Sequence, residues 1–302
     1  MIIRNFNEDI FLETARMCRQ NMELDRIPDF LFREKTFGDF NFNPELTLVT
    51  LDDYNNKVIG FIQGVVRERK DGKVGYIKLL CVDSNFRRRG IARELYAHVE
   101  NSFRENKIQL IRIYESYPNY YMPGVDPFYT EAIAFFERLG FKKFNDTSNL
   151  IVDLSANNFS TEEDIEKLKS NEIICYRPSK EEKEEVLNWV EKSFYGWIPE
   201  VSRAFENNPI SLFCAKMNDE VLAFSAYEVN NIGTGWFGPM GTDDKLRGKG
   251  VGGVLLKLCL NEMKELGFTK AIIPWVGPIP FYMFYANAKV QRVFWRYEKK
   301  LE

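Results

Sequence analysis

The sequence predicts an α/β protein made of two similar domains in tandem, each a mixed sheet flanked by helices. Three observations carry this. Short apolar runs with strand patterning alternate with stretches of helical periodicity, the order of elements begins again after residue 172, and a basic, glycine-bearing turn that opens an amphipathic helix occurs twice. The first turn holds Arg87, Gly90 and Ala92, after the apolar run from Tyr76 to Val82. The second holds Arg247, Gly248, Lys249, Gly250, Val251 and Gly252, after the run from Trp236 to Met240. The two arginines lie 160 positions apart (247 − 87), about one domain length.

In the first half, Ile2 to Arg4 reads as a short strand and Phe11 to Glu23 as a helix. Leu46–Leu51 and Lys57–Val66 read as strands joined by the polar turn at Asp52–Asn56, and Val74–Val82 feeds the basic turn. Ile91, Leu95, Val99 and Phe103 then recur at four-residue spacing, which gives a helix one apolar stripe. Ile108–Glu115 follows as a strand, Thr130–Leu139 as a helix closed by Gly140, and Asn149–Leu154 as a strand. Residues 156–172 are polar, lack apolar periodicity and are expected to link residues 1–155 to residues 173–302, with a short helix at Glu162–Lys169. The second half repeats the pattern: strand 173–177, helix 181–194, strands 212–216 and 221–229, the run 236–241 into the second turn, and a helix marked by Val251, Leu255, Leu258 and Leu266. A strand at 271–276, a short helix at 281–286 and a strand at 290–299 close it.

The chain of 302 residues is long enough for two ordinary cores, and 45% hydrophobic with 28% charged residues reads as globular. A net charge of −3 gives no electrostatic reason to expect nucleic acid or an anionic membrane as partner, and suits a small cationic acceptor such as an amine. Cysteines 18, 81, 175, 214 and 259 are scattered, odd in number and without metal-ligand spacing, so a reducing cytoplasm is the expected compartment. The first residues lack the apolar core of a signal peptide, and no apolar run approaches a membrane span. The single histidine, His98, is expected on a helix surface. With the single histidine on a helix surface, no Ser-His-Asp site is expected; one histidine cannot build a multi-histidine metal site, and no metal is expected.

A turn that presents unpaired N–H groups at a helix N-terminus is a seat for a phosphate or pyrophosphate. Both copies here fit Arg-x-x-Gly-x-(Gly/Ala), and on that pattern the chain resembles a tandem protein of the GNAT acetyltransferases over nearly its whole length. The resemblance implies acetyl-CoA as co-substrate. It also implies direct attack of an amine on the thioester, a tyrosine that protonates the departing thiolate, and a pantetheine arm lying between two parallel strands that splay apart.

The second half carries a physical reason for a splay. Gly238-Pro239 and Pro274 fall inside the two strands concerned, and proline cannot donate to a sheet ladder. An opening is expected there, with the N–H groups of Met240 and Gly241 free for the arm or the oxyanion and Thr242 beside them. The corresponding first-half strand has no proline and is expected to pair throughout. The family's acid-bearing segment falls at Phe136 in the first half and at Tyr282 in the second. The second half is therefore expected to be catalytic and the first to be supporting, with Arg87, Gly90 and Ala92 as a second cofactor seat.

On the closing strand, Gln291, Val293, Trp295 and Tyr297 alternate onto one face, which makes Tyr297 an alternative acid and Trp295 a stacking surface. Asn287 stands in the turn where a carboxylate could have served as base. Asn accepts no proton usefully, so either the amine enters neutral, or water relays its proton to Asp243, Asp244 or Glu228, or Asn287 is an altered residue. A lysine-like amine, with a pKa of about 10.4, calls for a strong base, whereas amino-sugar amines are less basic. Few bases and many aromatics (Trp275, Tyr282, Trp295, Tyr297) therefore suit an amino sugar, with Gln291 and the loop residue Asp126 as further contacts. The Pro123–Asp126 loop and the endings at Trp275–Pro278 and Arg292–Trp295 resemble bacterial glucosamine or glucosaminide N-acetyltransferases that handle cell-wall amino sugars. The tandem plan resembles, more distantly, mycothiol synthase. Transfer to an aminoglycoside, polyamine or peptide lysine, and a non-catalytic acetyl-CoA-binding regulatory role, are the alternatives. A monomer or weak homodimer is expected.

Overall fold

The structure, a computed structural model, describes residues 1–301. In chain order the first elements are β1 (Ile2–Asn5), α1 (Phe11–Asn21), α2 (Asp29–Lys35), β2 (Thr47–Leu51), β3 (Val58–Arg69), β4 (Gly72–Val82), α3 (Ile91–Glu105), β5 (Leu110–Ile113), α4 (Thr130–Arg138) and β6 (Lys142–Asp153). There follow α5 (Glu162–Lys169), β7 (Ile173–Tyr176), α6 (Lys183–Phe194), α7 (Ile198–Ala204), β8 (Leu212–Met217), β9 (Glu220–Tyr227) and β10 (Phe237–Thr242). The chain closes with α8 (Val251–Glu265), β11 (Lys270–Ile273), α9 (Ile279–Ala286) and β12 (Lys289–Lys300). The helix at Glu162–Lys169 lies where the sequence placed it. Helices α2 and α7 are additions: at seven residues each they are too short to show a periodic stripe.

Two compact units result. One comprises Met1–Asp146 together with the residues from Phe294 onward, the other Thr147–Val293. In the first unit β1, β2, β3 and β4 pair antiparallel in sequence order, β5 joins β4 in parallel, and the end of β12 pairs antiparallel with β5. The register sets Glu298 opposite Arg112 and Lys300 opposite Leu110. In the second unit β7, β8, β9 and β10 form an antiparallel series, and β11 pairs antiparallel with the end of β6, Lys270 opposite Asp153.

This pairing corrects the expected boundaries. The chain's last strand finishes the first unit and not the second, and residues 147–172, read as the end of the first domain plus a linker, belong to the second. The physical reason is core burial. Phe294, Tyr297 and Leu301 are 0%, 1% and 9% exposed and join the core built on Phe6, Phe61, Ile111 and Phe136, while Leu150, Val152 and Leu154, each fully buried, join the core around Leu255 and Ala271. Burying a side chain of this size is worth roughly 1.5–3 kcal/mol, enough to fix which unit each strand end completes.

Phe294→Ala should therefore loosen the first unit although it lies in the C-terminal part of the sequence, at a cost of about 3–5 kcal/mol. Hydrogen exchange should quicken at Leu110–Ile113 and stay slow at Lys270–Ile273. The reverse pattern would contradict the assignment of the strand.

Candidate functional site

The two glycine-bearing turns have one backbone. Asp83 and Asp243 each accept from the N–H two residues on, Asn85 and Lys245, at 3.0 and 2.9 Å, and so open a short 3-10 turn. Arg87 and Arg247 are extended; the next residue is left-handed, Arg88 at φ 65° and Gly248 at φ 77°. Gly90 and Gly250 then start α3 and α8 at φ 87° and 85°, a conformation that disfavours any side chain. No side chain caps either helix, so the first-turn N–H groups point outward with the positive end of the helix dipole. A Cβ built on Gly90, Gly248 or Gly250 would meet nothing within 4 Å, which leaves room for a phosphate to approach the backbone. Arg247 is exposed and held only by Asp244 at 2.6 Å, a surface pair that gives way easily. These turn bonds also account for Asp243 and Asp244 without a cationic acceptor.

Each turn follows a strand that leaves its parallel neighbour. In the second unit Trp236 bridges Ile272, with the Ile272 N–H donating to the Gly235 carbonyl at 2.7 Å, and β10 has no further ladder with β11. Opposite Ala226, β10 carries two residues, Gly238 and Pro239, so the strand bulges where it departs. Pro274 and then Trp275, left-handed at φ 48°, take the chain away from the end of β11. The expected opening is therefore present.

The expectation for the first unit is corrected. There β4 pairs with β5 only from Gly75 to Ile77, and the residues from Lys78 to Val82 have no β5 partner. Lys78 is an extra residue between Ile77 and Leu79, so β4 bulges at the position 160 residues before Gly238. Proline is not needed for a parting: β5 ends at Ile113, and Tyr114 at φ 65° turns the chain away.

The exposed main-chain groups follow from ladder alternation. Asp243 N–H donates to Leu222 O at 2.8 Å, so the register places Gly241 N–H on β9 as well. The N–H groups of Met240 and Thr242 face the open edge. Met240 was expected there; Gly241 was not expected to be spent on its own sheet. The Gly241 Cα also faces aromatic surface, since a Cβ there would lie 2.8 Å from the Phe194 ring.

Of the acid candidates, Tyr282 lies in the core of the second unit. Its ring lies edge-on to Phe237, the first residue past the bridge, at 6.3 Å, and burial pushes its phenol up to about 12. Tyr297 is placed elsewhere: it is buried in the first unit, where its hydroxyl donates to Glu137 at 2.9 Å, because β12 ends on β5. Trp295 goes with it, bridging Val125 and lying under the Lys143 ammonium at 4.7 Å. Asp126, also in the first unit, accepts from Phe128 N–H at 2.8 Å and shapes its own turn. Asn287 is the left-handed C-cap of α9 at φ 49°, its N–H donating to Met283 O at 2.9 Å, a position Asn fills for conformational reasons. Trp275 is half-buried with its N–H on Asn149 Oδ1 at 3.1 Å, and Gln291 is exposed; both lie in the second unit.

The bulges differ in what they carry. Lys78 is fully buried and ion-pairs with Asp39, which also receives two bonds from Arg67 at 2.6 and 2.7 Å. Burial opposes the Asp39 charge, but Lys78 and Arg67 overcome it and hold the carboxyl at about 2. Burial, with Arg67 and Lys35 nearby, pulls Lys78 down to about 7 against the attraction of Asp39. At the matching bulge a Cβ on Gly238 would find no atom within 4 Å. His98 is exposed, and among the described residues no group of His, Cys, Asp and Glu could hold a metal ion, nor is any helix long and apolar enough to cross a membrane.

The sequence profile of the Acetyltransferase (GNAT) family matches residues 11–141 and 171–280, most of the chain, and the protein belongs to that family of acyltransferases. Its fold is similar to a GCN5-related glucosamine N-acetyltransferase region of a fungal multi-domain GH3 β-N-acetylglucosaminidase, with TM-score 0.85 and 20% identity over 99% of this chain. This chain spans 38% of that one's length. A GCN5-related N-acetyltransferase from Sphaerobacter thermophilus gives TM-score 0.71 and 14% identity, covering 99% of this chain and 95% of the other. A tandem GNAT protein from the clavulanic acid biosynthesis pathway gives 0.65 and 14%, covering 99% and 98%. No curated protein matches the sequence. Members of the family use acetyl-CoA, and the paired turns and parted strands are features that suit its pyrophosphate and arm.

Because the Asp39 carboxyl is depressed, the stability it lends is complete above pH about 4 and is lost as pH falls through about 2, a loss of about 2 kcal/mol. Acid titration of wild type and Asp39→Asn, followed by exchange in β3 and β4, should show this component in wild type and not in the variant.

Proposed function

We propose that the protein transfers the acetyl group of acetyl-CoA to the free amine of an amino sugar, and that the second unit does the work. The observation that carries the choice of unit is the pair of matched bulges. Where the first unit fills the point of strand parting with the buried Lys78–Asp39–Arg67 cluster, the second has a glycine and open space. An acceptor amine needs that space to reach a thioester carbonyl.

In the proposed reaction the pyrophosphate rests on the turn from Arg247 to Gly252, and the arm runs along the β10 edge beside Met240 and Thr242. The amine nitrogen attacks the carbonyl carbon, and a main-chain N–H on that edge supports the oxyanion. The C–N bond forms, the C–S bond breaks, and the thiolate takes a proton from the Tyr282 phenol, which recovers one from water. The proton lost by the amine passes to water. With Asn287 engaged as a helix cap and the Glu228 carboxylate occupied by the Gly233 and Trp236 N–H groups, this edge offers few groups to take a proton, and that favours an amine of low basicity, such as the amine of a sugar. The fold likeness to a glucosamine N-acetyltransferase region supports the same acceptor class. The first unit's turn, with Arg87, Gly90 and Ala92, is a second seat for acetyl-CoA without turnover.

Thiol release from acetyl-CoA should be seen with glucosamine or chitosan oligomers and be weak with lysine peptides and polyamines. Arg247→Glu should raise the acetyl-CoA KM by about tenfold or more, since losing a charge-assisted phosphate contact is worth about 1.5–3 kcal/mol. Arg87→Glu should change it little, and equal losses from both would contradict the assignment. Tyr282→Phe should lower kcat by about 10²-fold with the acetyl-CoA KM nearly kept. An unchanged kcat would remove it as the acid.

A further inference from the structure

The second unit holds an aromatic surface at the turn between α6 and α7. Helix α6 runs into a tight turn, Phe194-Tyr195-Gly196-Trp197, ahead of α7. Phe194 packs on the bare backbone of β10, as the 2.8 Å approach to a Cβ on Gly241 shows, and Trp197 stacks on Phe194 at 5.2 Å with the rings 16° from parallel. Both rings also lie against Phe224 of β9, at 5.9 and 6.1 Å. Trp197 remains half-buried and Tyr195 is 55% exposed.

The other face of β10 is taken. Met240 reaches toward α8, where a Cβ on Gly252 would lie 3.6 Å from its methyl, and Phe281 and Tyr285 of α9 lie on Gly252 and Gly253. That face also carries the glycine turn that begins α8. That leaves the α6–α7 face, where the aromatic turn lies against Gly241 and Phe224, as the side from which an acceptor can meet an acyl group held along the β10 edge.

We propose that Trp197, with Tyr195 beside it, is the platform on which the pyranose ring of the acceptor lies, an inference that rests on the amino-sugar reading above. The apolar face of a sugar ring covers an indole well, and the hydroxyls around its rim stay hydrated or bond to polar neighbours such as the Tyr195 phenol. Trp197 is a specificity-determining residue in this view: it holds the ring so that the amine points at the bulge, and it takes no part in proton transfer.

The test is steady-state kinetics with glucosamine and chitobiose as acceptors, on wild type, Trp197→Ala and Trp197→Phe. Trp197→Ala should raise the acceptor KM about tenfold or more while the acetyl-CoA KM stays within about twofold, and Trp197→Phe should recover most of the loss. Hydrogen exchange across β8–β10 should match wild type, which separates the platform from a folding defect. Amino-sugar turnover with an unchanged acceptor KM in Trp197→Ala, or a parallel rise in both KM values, would overturn the platform and leave the amino-sugar reading standing. A wild type that releases thiol with neither sugar would overturn that reading and the platform with it.

Discussion

Everything in the site depends on two parallel strands that cannot stay together. Parallel pairing needs an unbroken row of slanted N–H to carbonyl bonds, and in both units that row ends just before a bulge. Once β10 leaves β11, every second main-chain N–H on its open edge lacks a partner within the sheet, and at the half-buried Met240 and Thr242 it is left to water or a ligand. A ligand with amide and carbonyl groups along its length can take the place of that water. The bulge thus opens a slot with main-chain donors along it.

The two units share this device and differ in how they use it. They match residue for residue at an offset of 160: Tyr76 with Arg112 against Trp236 with Ile272, Lys78 against Gly238, Gly90 against Gly250. One difference in that series changes what fills the bulge. A lysine at the bulge brings in a carboxylate and a guanidinium to balance its burial, and the resulting cluster is as much a filling as a hydrophobic core would be. Glycine at the same place leaves room.

The features legible in the sequence were local ones. The repeated strand–turn–helix unit, the glycines at helix starts and the prolines near the opening all act through their own backbone, so their residue types announced them. Residues that depend on distant pairing were misplaced. Tyr297 and Trp295 follow the second turn in sequence and so read as neighbours of its site, yet the ladder of β12 on β5 carries them into the first unit. Nothing in the alternation of Gln291 to Tyr297 records which strand will be its partner, because a period of two fixes a face and not a neighbour. Asn287 was misread for the opposite reason: its left-handed backbone at the end of α9 explains it without chemistry. The segment from Tyr195 to Trp197 has no period because it is a three-residue turn, and its only signal is two aromatics in the three positions after an amphipathic helix that itself ends on Phe194.

The measurement that bears most directly on the central claim is a crystal structure of the protein with acetyl-CoA bound. Its thioester arm should lie between β10 and β11 of the second unit, bonded to the main chain of Met240 and Thr242, with the carbonyl carbon beside Gly238. An arm found only between β4 and β5 of the first unit, with the second parting closed around its own side chains, would contradict the account.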